Sequence, residues 1–159
     1  MNKGAIAAGH QETANAAEEI LNDGGNAFDA AVAAQFTACV AEPVLCSLGG
    51  GGFLLADPVG GSRTVYDYFV QTPNTLQVGD LDFRSIIADF GFAKQEFHIG
   101  AGSVATPGMV KGVFAVYKDL CSMPMERLIE PAVHLARKGV EINEFQGEVF
   151  EIIKPIYLS

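Results

Sequence analysis

The stretch from Gly24 to Phe53, GGNAFDAAVAAQFTACVAEPVLCSLGGGGF, constrains this chain more than any other. Between Ala27 and Ala41 only Asp29, Gln35 and Thr37 are polar. Phe28, Val32, Phe36 and Val40 recur at helical spacing, and alanines fill most of the remaining surface. The pattern predicts a helix with no solvent face, buried all round, whose small side chains let neighbouring backbone come close. Asn26 is placed to cap it. Asp29, three residues on, can reach back to close the cap and complement the positive end of the helix dipole. Pro43 forbids further helix. Gly49 to Gly52 follow, and their missing side chains permit dihedrals and contacts closed to other residues.

Other elements flank this stretch. Ala5 to Ala8 reads as a short first strand. Gln11 to Asn22 reads as a helix with Ala14, Ala17, Ile20 and Leu21 on one side, ended by Gly24 and Gly25. Gly52 to Ala56 and Thr64 to Val70 read as a hairpin around Asp57-Pro58-Val59-Gly60-Gly61. From Gln71 to Gly91 little regular structure is expected, and Gln95 to Ile99 reads as a strand. Thr106 and Pro107 suit the cap and first position of a helix. Pro124 opens another helix through Lys138, with Pro131 as a bend and Gly139 as its end. Phe145 to Ile153 reads as the start of a last helix. Tight turns between strands favour antiparallel sheet with helices layered on it, an α+β class.

Composition bounds function. At 159 residues the length suits one domain, and 49% hydrophobic residues rule out a disordered polymer. No apolar run reaches the roughly 20 clean residues of a membrane span. A net charge of −9 repels phosphate backbones, so no nucleic-acid partner is expected. The N-terminal MNKGAIAAGHQE does not read as a secretory signal. Three cysteines, Cys39, Cys46 and Cys121, form no Cys-x-x-Cys pair and read as reduced thiols of a cytoplasmic protein.

The residues alone name no reaction. A phosphate loop needs Lys and Ser or Thr after its last glycine, whereas Phe53 and Leu54 follow here. The dinucleotide fingerprint needs strand before and helix after, and here the order is inverted. Close backbone packing at a strand start is the better reading of the glycines. Cys46 would need a base to act as a nucleophile, and His10, His98 and His134 all lie far off in sequence. A buried apolar thiol is the blander reading. Asp80 and Asp82 stand without His or Cys at metal-ligand spacing, so no metal is expected.

One arrangement nevertheless resembles a known family. Ala17, Ile20, Leu21, Gly24 to Ala27, Asp29 to Ala33, then Glu42-Pro43, then Gly49 to Phe53 look like the amino-terminal part of the γ-glutamyltransferase (γ-glutamyltranspeptidase) family. A second block, GSVATPGMVKGVFAVYKDLCSMPMERLIEPAVHLARKGVEIN, resembles the same family's later helices. The resemblance implies an N-terminal-nucleophile (Ntn) hydrolase fold, of which residues 1–159 would be one incomplete domain and a partial four-layer αββα sandwich. It implies a precursor that cleaves itself and a freed terminal threonine that attacks a γ-glutamyl amide such as glutathione, with no cofactor. That threonine and the oxyanion donors lie in small-subunit polypeptide absent from this chain, so the chain holds no catalytic residue and is expected to be inactive by itself. Its partners would be that polypeptide and a small-molecule amide.

The chain departs from the family in the segment that the family writes D-G-R-E-T-A-P. The family's arginine, which grips the substrate α-carboxylate, aligns with Phe69 in Asp67-Tyr68-Phe69-Val70-Gln71-Thr72-Pro73. Phe69, Gln71 and Thr72 are therefore the expected lining of the acyl pocket. A more apolar acyl group, as in β-lactam side-chain acylases, is the alternative substrate, and a non-catalytic truncated fragment is the alternative to an enzyme.

Overall fold

A computed structural model describes residues 4–75 and 79–158. The elements in order are α1 (Gln11–Asn22), α2 (Ala27–Ala41), β1 (Phe53–Ala56), β2 (Thr64–Asp67), β3 (Arg84–Asp89), β4 (Lys94–Ile99), a short 3-10 turn (Ala101–Ser103), α3 (Met109–Leu120), α4 (Met125–Lys138) and α5 (Glu144–Tyr157). The class is α+β, as the turn spacing predicts. Two compact units are present, one of Met1–Val70 with Pro107–Glu141 and the other of Gln71–Thr106 with Ile142–Ser159. Among the described residues, no helix is long and apolar enough to cross a membrane.

The first unit is built on α2, which packs against α1, α3 and α4. The alanines explain the closeness: Ala30, Ala33 and Ala41 are buried with Asp29 and Thr37, so neighbouring helices meet α2 at its backbone. Ile20, Val32, Met109, Val113, Val116 and Leu128 fill the core around them. Ile20 and Leu128 are wholly buried, which stabilises the unit by about 2 kcal/mol each. Burial on every side is not what α2 shows. Phe28, Ala31, Gln35 and Ala38 are only half-buried, because α1, α3 and α4 do not surround the helix.

Gly24 and Gly25 end α1 as expected. Gly24 takes a φ of 94°, its N–H donates to the Leu21 carbonyl (3.2 Å) and that of Gly25 to the Ile20 carbonyl (2.9 Å), a paired closure that needs a left-handed residue. The hairpin is antiparallel, with Phe53 opposite Asp67 and Ala56 opposite Thr64. A further Gly52–Tyr68 backbone pair extends it. Alternation sends Phe53, Leu55, Val65 and Phe69 outward, where they stay exposed at 63%, 67%, 62% and 50%.

The second unit holds an antiparallel β3–β4 pair running from Arg84 opposite Ile99 to Asp89 opposite Lys94. Helix α5 packs against β3. Asn143 caps α5 reciprocally with Gln146.

Four further expectations are corrected. Ala5 to Ala8 forms no strand, having no ladder partner among the described residues. Residues 84–89, read as irregular, form β3, because β4 pairs with it through the turn at Gly91, φ 79°. Helix α3 starts at Met109 with Gly108 at its N-cap. Thr106 instead exchanges backbone hydrogen bonds with Gln71 (2.7 and 3.1 Å). Helix α5 extends past Ile153 and through Pro155 to Tyr157.

Candidate functional site

The glycine run packs backbone against backbone. A side chain at Gly51 would sit 2.6 Å from the Val70 nitrogen and 2.7 Å from the Tyr68 carbonyl oxygen. The Gly50 carbonyl accepts from the N–H groups of Gly108 (3.1 Å) and Met109 (3.0 Å), two donors that the first turn of α3 leaves without helical partners. Tyr68 is the wall of this arrangement. Side chains added at Gly108 and Gly112 would collide with its carbonyl oxygen and its ring. Burial, and then the nearby Cys46, push its phenol pKa upward. No phosphate cradle is formed: the Gly50 carbonyl is aimed at a helix start.

At the N-terminal end of α2, the expected capping box is present. It does more than cap. The Asp29 carboxylate is fully buried and accepts from Asn26 N (2.8 Å), Ser122 N (2.9 Å), Ser122 Oγ (2.6 Å) and Met123 N (3.0 Å). Asn26 Nδ2 also donates to the Leu120 carbonyl (2.9 Å). The cap thus ties α2 to the α3–α4 connection. Burial pushes the Asp29 pKa up, but the hydrogen bonds from Ser122, Met123 and Asn26 together outweigh it and hold the carboxyl below its ordinary value.

At the other end of α2 lies a thiol pair. Cys39 Sγ and Cys46 Sγ are 3.6 Å apart, and Gln35 Nε2 donates to Cys46 Sγ at 3.0 Å. The hydrogen bond shared with Cys39, reinforced by Gln35, pulls the Cys46 pKa below its ordinary value against the opposing effects of burial and Glu42. The same bond and burial push Cys39 upward. The histidines serve elsewhere. His10 accepts at the start of α1, His98 stacks on Phe83 with ring centres 4.4 Å apart, and His134 lines a groove with Glu12, Asn15, Glu19 and Glu130. Asp82 pairs with Arg84 at 3.5 Å.

The predicted pocket residues divide between the two units. In the first, Phe69 is half-exposed and stacks on Phe53, ring centres 5.4 Å apart and planes 11° off parallel. In the second, Gln71 is held by its bridge to Thr106, and Thr72 lines an open depression with Pro73, Leu81, Gly102 and Val104. Sequence reasoning missed the Cys39–Cys46–Gln35 group. Its seven-residue spacing gives no signal once Pro43 interrupts the helix.

Comparison with known proteins gives this framework a lineage. The gamma-glutamyltranspeptidase family profile matches residues 13–154. The glutathione hydrolase proenzyme of Pseudomonas aeruginosa is 32% identical over 150 residues, covering 92% of this chain and 25% of the relative. The acylase ACY 1 proenzyme of Pseudomonas sp. strain V22 is 30% identical over 150 residues, covering 91% of this chain and 26% of the relative. The crystal structure of Helicobacter pylori gamma-glutamyltranspeptidase superposes with a TM-score of 0.81 at 26% identity, covering 98% of this chain and 43% of that one. The chain thus spans about a quarter of the length of these curated relatives. With the capped alanine helix, the glycine-to-strand junction and the second helical block all inside the matched span, this chain belongs to the gamma-glutamyltranspeptidase family.

Proposed function

We propose that these residues are the amino-terminal portion of a large subunit whose complete protein hydrolyses or transfers γ-glutamyl groups of glutathione-like amides. The observation that carries the reading is the family match over residues 13–154. The attacking threonine and its oxyanion donors belong to polypeptide outside this chain, cleaved from a common precursor, and both curated relatives are named as proenzymes. In that whole, residues 1–159 form one incomplete domain of a four-layer αββα Ntn sandwich. The outward face of β1–β2, with Phe53, Leu55, Val65 and Phe69 exposed together, suits cover by the missing polypeptide. A cytoplasmic location is part of the proposal and rests on three unpaired cysteines.

Phe69, Gln71 and Thr72 line the acyl pocket in this reading. A phenyl ring cannot pair with a substrate carboxylate. A second reading therefore has an observation behind it: the Phe53–Phe69 stack offers an apolar surface that suits an apolar acyl group better than a charged one, and an acylase stands among the relatives.

A full-length parent carrying Phe69→Arg separates the two. If Phe69 occupies the carboxylate position, the new charge-assisted pair raises turnover of γ-glutamyl anilides about ten- to a hundredfold. An unchanged rate removes Phe69 from the pocket. A wild-type parent that prefers apolar acyl amides over γ-glutamyl ones establishes the second reading. Residues 1–159 alone are expected to hydrolyse neither.

A further inference from the structure

Cys39 and Cys46 are brought together by one continuous piece of backbone. The N–H of Glu42, at the C-terminal end of α2, donates to the Ala38 carbonyl (2.8 Å), and the Cys46 N–H donates to the Glu42 carbonyl (3.0 Å). The reversal between them passes through Val44, whose φ of 78° is unusual for a β-branched residue. The 3.6 Å sulfur separation is therefore set by a hydrogen-bonded turn and not by two independent loops. Both thiols are half-buried. A disulfide needs its sulfurs at about 2 Å.

We propose that Cys39 and Cys46 form a dithiol modification site, with Cys46 as the attacking thiol and Cys39 as the resolving one, whose co-reactant is a hydroperoxide. Cys46 is the sulfur that receives the Gln35 Nε2 hydrogen bond, besides the one it shares with Cys39, so it is the better thiolate. Its lowered pKa agrees with that assignment, and the raised Cys39 suits a thiol that acts second. The Cys46 thiolate attacks one peroxide oxygen, an S–O bond forms, the O–O bond breaks, and the departing hydroxide takes up a proton to leave as water. Cys39 then loses its proton and attacks the Cys46 sulfur. The S–S bond forms, the S–O bond breaks, and the expelled hydroxide leaves with that proton as a second water. Two thiols are oxidised by two electrons and one hydrogen peroxide is reduced.

Cys121 is the control built into the chain. It is also half-buried, but burial first, and Asp29 beside it, push its pKa up to about 12.

The test treats the reduced full chain with hydrogen peroxide and follows free thiols, intact mass and a peptide map. The expected result is a fall from three thiols to one, a loss of two hydrogen atoms with no oxygen gained, and a cross-linked peptide joining Cys39 to Cys46. Cys46→Ser slows oxidation of the remaining thiols roughly tenfold or more. Cys39→Ser stops the sequence at a Cys46 sulfenic acid that dimedone traps. In denaturant the rate advantage of Cys46 over Cys121 disappears, although the seven-residue spacing still favours the same link. The proposal is overturned if Cys121 oxidises as fast as Cys46, if the disulfide formed includes Cys121, or if the Cys39–Cys46 link forms equally fast in folded and denatured chain.

Discussion

At its N-terminal end α2 places a carboxylate where no solvent reaches and surrounds it with four donors from Asn26, Ser122 and Met123. At its C-terminal end the same helix runs into a reversal with a β-branched residue at positive φ and two half-buried thiols that share one hydrogen bond. Both ends carry polar groups in apolar surroundings. They differ in how completely those groups are satisfied. A buried group whose acceptor capacity is filled by fixed backbone donors holds elements in place and does no chemistry. A soft nucleophile with few partners, beside a strained turn, keeps its reactivity. One helix thus separates a fastening from a reactive position by its own length.

That contrast can be broken at the fastening first. Asp29→Ala leaves the N–H groups of Asn26, Ser122 and Met123 without their acceptor. It should destabilise the first unit by on the order of 3–5 kcal/mol, read as a drop in the urea midpoint. A loss under about 1 kcal/mol would mean that water replaces the carboxylate and that the N-terminal end is no tighter than the other.

Acid tests the same end more gently. The folded-state pKa of Asp29 lies below its ordinary 3.8, so the ionised form stabilises the fold in full above a pH of about 4. That contribution fades as pH falls from there through the folded value. Urea titrations of the wild type and Asp29→Asn should therefore converge below pH of about 4 and stay apart above it. A gap between them that does not change with pH would assign the effect of Asp29 to shape and not to charge.

The smallest expected effect lies at the reversal. Val44→Gly removes the steric cost of φ 78° at the expense of a freer unfolded chain, for a net gain of about 0.5–1 kcal/mol. A loss of stability on this substitution would show that the Val44 side chain packs well enough to justify its backbone.

Much of the scaffold could be read from residues alone, for reasons that are local. Asn26 and Asp29 announce a cap because a capping box needs only three-residue spacing. Gly24 announces a helix end because the closure needs a left-handed residue. The β1–β2 hairpin is signalled by its turn. What escaped depends on partners distant in sequence or on reversals. Residues 84–89 carry a weak alternating pattern and become a strand through pairing with residues 94–99. Thr106 has the chemistry of a cap, but its backbone is engaged by Gln71, and Gly108 takes the N-cap because only a residue without a side chain fits against Tyr68. Of the proposed pocket, Phe69 is placed only by the family resemblance, whereas its stack on Phe53 required the hairpin register. The thiol pair was illegible because proline-broken helices do not carry their periodicity forward.

The Gly50 carbonyl has a consequence for how this part of the molecule moves. Because that one oxygen receives the leading N–H groups of α3 from both Gly108 and Met109, the junction into β1 and the start of that helix behave as a single lever. Any sideways slip of Gly50 strands two donors at once, and through the Gly52–Tyr68 pair the same slip reaches the hairpin.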